Sequence, residues 1–102
     1  MTALGRQIWA LTLPALAWTI HFIAIYALIS AACAPRGLID MPLVFILGIA
    51  ATFVCGVVAI WPALWPPSGE ALRFAVRLSA MIFAVAILFD ALPLMYSSSC
   101  GG

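Results

Sequence analysis

Three long apolar runs, parted by two clusters of helix breakers, leave this chain few ways to fold. The first goes from Ile8 to Cys33 and stops at "APRG", where Pro35 and Gly37 end a helix. The second goes from about Leu43 to Trp65 and stops at "PPSG". The third goes from about Leu78 to Tyr96, between "EALRFAVR" and "SSSCGG". Each run is close to the roughly 20 helical residues that cross a hydrocarbon core of about 30 Å. The expected fold is therefore all-α: one integral-membrane domain over 1–102, with transmembrane helices at about 8–33, 43–65 and 72–96 and short connections.

Composition agrees with a lipid environment. Of 102 residues, 68% are hydrophobic and 7% charged, where a soluble domain has about half apolar and a quarter charged residues. A soluble fold of this size would lack the polar surface to cover its core. A net charge of +1 leaves no basic footprint for nucleic acid. The expected partners are larger membrane subunits and lipids, with no nucleic acid. A cleaved signal or a lipobox ending at Cys33 fits less well, because the run is far longer than a signal h-region and Ser30 replaces the branched aliphatic of a lipobox. We expect the N-terminus to be retained.

The arginines set an orientation. Arg6, Arg73 and Arg77 share one side of the expected bundle, and Arg36 alone lies on the other. The positive-inside bias places the N-terminus in the cytoplasm and the C-terminus outside, in the periplasm if the membrane is a bacterial inner membrane. Cys33 and Cys100 then share the outer side, where a disulfide is chemically permitted and unrelated thiols are the plain alternative. Cys55 lies mid-membrane and reads as a small packing residue. Trp9, Trp61 and Trp65 fall near the cytoplasmic boundary, where indole rings anchor depth. Pro62, Pro66 and Pro67 should end the second helix, while Pro14 and Pro93 should kink the first and third.

Gly48, Thr52, Gly56, Ala59 and Ala63 recur at three- and four-residue steps on the second helix, a stripe suited to close packing against the other two. Two polar residues are harder to place. Asp90 lies in the outer half of the third helix, where an ionised carboxylate costs about 3 kcal/mol or more. His21 is the only histidine and flanks a stripe of Trp18, Phe22, Tyr26, Ile29 and Cys33. Counting rise along each helix from Cys33 and from Tyr96 puts Asp90 nearer in depth to Tyr26 than to His21. The expected pairing is Tyr26 with Asp90. His21 is left to Thr19, Thr52, a carbonyl freed by Pro14 or Pro93, or a partner outside the chain.

No constellation for catalysis is present: there is no second histidine, no intramembrane acidic pair, no G-x-S-x-G and no phosphate loop. No ligand spacing supports a metal site. The chain is expected not to be an enzyme and to carry no cofactor of its own. One exception stays open. A haem or bacteriochlorophyll could take His21 as its protein ligand, with Ala17 four residues earlier leaving room for a macrocycle. Proton conduction through Asp90, Tyr26 and His21 is a further reading, although one acid and three helices without an internal repeat make a poor transporter.

The spacing W-x-x-H-F-x-x-x-Y-x-x-x-x-x-x-C, carried by Trp18, His21, Phe22, Tyr26 and Cys33, resembles the first helix of small three-helix proteobacterial membrane proteins of unknown function. Several of these are associated with haem-copper cytochrome oxidase components. The resemblance covers the first third of the chain and implies a bacterial inner membrane and the respiratory chain. The expected function is a non-catalytic accessory subunit that packs on and stabilises an energy-transducing complex, most simply a cytochrome oxidase or supercomplex. The alternative is an accessory subunit of a photosynthetic reaction-centre or antenna complex with His21 on a tetrapyrrole.

Overall fold

In the computed structural model, which describes residues 2–66, 69–96 and 100, the chain is a three-helix bundle about 51 Å long. The helices are α1 (Ala3–Ala32), α2 (Met41–Leu64), α3 (Glu70–Asp90) and the short α4 (Leu92–Tyr96) that prolongs α3. Three stretches, Ala3–Ala32, Met41–Leu64 and Glu70–Tyr96, are long and apolar enough to cross a membrane. Each packs against the other two.

The ends follow local chemistry. Thr2 caps α1, its hydroxyl accepting from the Gly5 amide at 3.0 Å, so the helix starts five residues before the apolar run. The C-terminal end of α1 closes through Leu38 N–H to the Ala31 carbonyl (3.1 Å) and a left-handed Gly37 at φ 55°. Pro42 occupies the first turn of α2, where its missing N–H costs nothing. Gly69, at φ 104°, turns the chain into α3.

Two expectations about proline change. Pro62 lies inside α2, buried, and the helix ends only at Leu64. Pro67 lies outside the described residues. Pro93 does more than kink the third span: α3 ends at Asp90, and Ala91, whose amide still donates to the Ile87 carbonyl, forms the joint to α4. The third expected helix, at about 72–96, is thus two pieces starting at Glu70. Pro14, by contrast, is buried within an α1 that runs on past it.

The interior is organised in layers. One cluster joins Ala17 of α1, Ala59 of α2 and Ile87 of α3. A second, nearer the Cys33 end, joins Ile25, Val44 and Leu94. Each takes one residue from every span. On the outside, Ile, Leu, Phe and Val side chains such as Ile20, Ile46, Phe53 and Leu88 stay exposed, the arrangement expected where lipid is the solvent.

Candidate functional site: a polar layer between two apolar layers

Between the two apolar clusters lies the only buried polar residue among those described, His21, which is 0% exposed. On α1 it stands one turn from Ala17 and one turn from Ile25. Thr52 falls between Ala59 and Val44 on α2, and Asp90 between Ile87 and Leu94 at the end of α3. All three side chains therefore belong to one level of the bundle. His21 and Thr52 match in depth because each is 11 residues from the Cys33-side end of its helix, about 16 Å.

His21 Nε2 and Thr52 Oγ1 are 2.8 Å apart. The Thr52 hydroxyl donates to the Gly48 carbonyl one turn back, also at 2.8 Å. A hydroxyl has one proton, so with that proton on Gly48 its oxygen accepts from Nε2–H. In that arrangement Nδ1 carries a lone pair, and with the hydroxyl proton on Nε2 instead Nδ1 carries the ring proton. Nδ1 is buried without a hydrogen-bond partner among the described residues, and so is Asp90 Oδ2. The Asp90 carboxylate lies within electrostatic range of the ring.

The expected pairing of Tyr26 with Asp90 is not formed. Tyr26 is 50% exposed on the outer face, its ring tilted against that of Phe22 with centroids 4.6 Å apart, and makes no hydrogen bond among the described residues. The depth count erred because it treated Cys33 and Tyr96 as level. Leu94 already packs with Ile25 and Val44 well below Cys33, so Asp90 sits lower, at the level of His21. Thr52, one of the candidates named from sequence, is the histidine's partner. Thr19 is not: its hydroxyl bonds back to the Ala15 carbonyl at 2.9 Å.

The small-residue stripe also divides. Gly48 is buried under Leu94, and a Cβ there would come within 2.9 Å of Leu94 Cδ2. Thr52 and Ala59 face inward as expected. Gly56 does not pack against the other helices: a Cβ there would meet nothing within 4 Å. It lines an apolar groove of about 440 Å³ between α2 and α3, with Phe53, Ile60, Ala84 and Leu88 among its walls. Sequence reasoning also missed Phe83, whose ring lies 5.9 Å from that of Trp18 and joins α3 to the Trp18–Phe22–Tyr26 ladder.

The residues around His21 do not fit a tetrapyrrole. Ala17, which would have to lie open beneath a macrocycle, is packed against Ala59 and Ile87. Axial ligation by Nε2 would take the atom that holds Thr52, and the ring has no exposed face. No group of three His, Cys, Asp or Glu side chains able to hold a metal ion occurs among the described residues. Cys55 is half-buried beside the Ala17 cluster, and Cys33 is joined to Cys100 by a disulfide with a Cα–Cα distance of 5.4 Å. No protein family, curated protein or solved structure matches this chain.

Proposed function

We propose that the chain is a non-catalytic accessory subunit of the bacterial inner membrane that packs on and stabilises a larger energy-transducing complex, a respiratory cytochrome oxidase or supercomplex. The observation that carries the reading is the groove at Gly56. It opens away from the bundle at mid-membrane depth, it is apolar, and a missing side chain makes its floor. Such a hole accepts a knob from a neighbouring transmembrane helix, where packing must replace the hydrophobic effect. The respiratory association rests on the first-helix spacing. The arginine asymmetry supports a cytoplasmic N-terminus, and the Cys33–Cys100 bond supports an oxidising compartment for the opposite end.

The test is purification of the native assembly with this chain as the handle, followed by cross-linking to name its neighbours and an absorption spectrum. Haem a-type bands that co-purify with the chain are expected. Bacteriochlorophyll bands would overturn the oxidase assignment in favour of a photosynthetic complex. Gly56→Leu, which fills the groove, is expected to reduce retention at least several-fold while leaving the disulfide intact. Full retention of that variant would reject the groove as the contact.

A further inference from the structure

The α2–α3 groove runs along α2 from Ile49 to Ile60, with Ala84 and Leu88 on its α3 side and a volume of about 440 Å³. Thr52 is the one polar side chain on its walls, and that hydroxyl is already bonded to the Gly48 carbonyl and to His21 Nε2. Nothing on the walls is left to bond a polar ligand, so the occupant here is a hydrocarbon chain. Its length is set by the 11 residues between Ile49 and Ile60, about 16 Å. One leaflet of a hydrocarbon core is about 15 Å deep. The groove stops four residues short of Leu64, the end of α2 on the side of Arg73 and Arg77, and so lies in the half of the bilayer beneath those arginines.

The arginines are in line with it. Steps of seven and of 11 residues each return a helical side chain to within about 20° of its starting direction. Arg77 precedes Ala84 by seven residues and Arg73 precedes it by 11, so both stand on the face of α3 that forms the groove wall, and both are exposed. Arg77 is about 10 Å beyond Ala84 along the helix, where a long side chain reaches the membrane surface while its stem stays in lipid. Glu70 lies towards the same face but in the first turn of α3, two turns from Arg77, where the helix N-terminus favours a carboxylate. Arg6 belongs to α1, which lines no part of the groove, and Arg36 lies at the opposite end of the bundle.

We propose that the groove and these two arginines form one site for an anionic phospholipid, with the phosphate on Arg77 and Arg73 and one acyl chain laid along Gly56 between α2 and α3. The guanidinium groups donate to phosphate oxygens in charge-assisted hydrogen bonds. The glycine leaves the width that a chain needs. The accessory-subunit reading gives the same groove to a neighbouring helix in the assembled complex; the unassembled chain meets lipid first, and the arriving side chain displaces the acyl chain. The lipid site does not rest on that reading, since every group in it belongs to this chain.

The test uses the disulfide-bonded full chain alone in phosphatidylcholine bilayers, so its outcome is independent of any parent complex. Phosphatidylglycerol and phosphatidylcholine, spin-labelled at the same acyl carbon, report the fraction of chains immobilised on the protein. Phosphatidylglycerol is expected to be preferred about fivefold or more at low salt, the attraction of roughly one arginine near an anionic surface. Arg73→Gln with Arg77→Gln should bring the ratio close to one, whereas Arg6→Gln should leave it unchanged. Gly56→Leu should also abolish the preference although both arginines remain, and Ala84→Leu fills the groove from the other wall should the first variant fail to form its disulfide. A wild-type ratio near one would overturn the proposal. So would a preference that survives a filled groove, or an equal loss in Arg6→Gln, because either result means that a positive surface attracts the lipid without a built site.

Discussion

Gly48 and Gly56 lie two turns apart on one helix and meet opposite surroundings. Gly48 is roofed by Leu94, whereas Gly56 faces open space beside the α2–α3 groove. The difference shows that a small residue in a membrane helix can be a seat already taken or a seat on offer, and that composition does not say which. Side-chain volume does. Gly48→Leu is expected to have the largest effect, about 3 kcal/mol or more, since extra methylenes forced into a filled site cost about 1–3 kcal/mol and Leu94 must also leave. Thermal unfolding in detergent, together with the yield of the Cys33–Cys100 bond, measures it. Gly48→Leu combined with Leu94→Ala should recover part of that loss, and no recovery would mean that Leu94 is not the obstacle.

Thr52→Val comes next. The replacement keeps the shape and removes the hydroxyl bonded to Nε2, leaving that buried nitrogen unpaired at about 1–3 kcal/mol. The ¹⁵N spectrum of the same variant should show Nε2 losing its hydrogen bond. His21→Leu removes the imidazole instead and is expected to cost about 1–2 kcal/mol, the range of interhelical polar contacts in membranes. At the small end stands Gly56→Ala. In the isolated chain it should change stability by no more than about 0.5 kcal/mol, as for a surface position. A loss comparable to that of Gly48→Leu would abolish the contrast between the two glycines.

The spans were legible because lipid imposes a length and a hydropathy that breakers such as Pro35, Gly37 and Gly69 punctuate. Rotation around the helix was less so. A four-residue step turns about 40° past a full circle, so Gly56 has swung about 80° from Gly48, while Ala59, 11 residues from Gly48, returns to within about 20°. The stripe as a whole looked like one face, yet Gly56 left it while Gly48, Thr52 and Ala59 stayed. Thr52 could be named as a candidate because a hydroxyl is a natural partner for a buried imidazole. Asp90 could not be placed, since its depth depends on the break at Ala91 and on Leu94 turning inward, neither of which periodicity encodes. Phe83 carried no signal apart from its apolarity, and its contact with Trp18 depends on how α1 and α3 cross.

The Cys33–Cys100 bond joins residues 67 positions apart, the first at the end of α1 and the second beyond α4. Two complete crossings separate them, so the sulfurs share a compartment only after α2 has gone in and α3 has come back. A chain stalled during insertion with one crossing missing would strand the two thiols on opposite sides of the lipid. The bond is thus a record of finished biogenesis: an oxidised chain has made both later crossings, and the fraction of chains in which Cys33 and Cys100 stay free thiols counts those that have not.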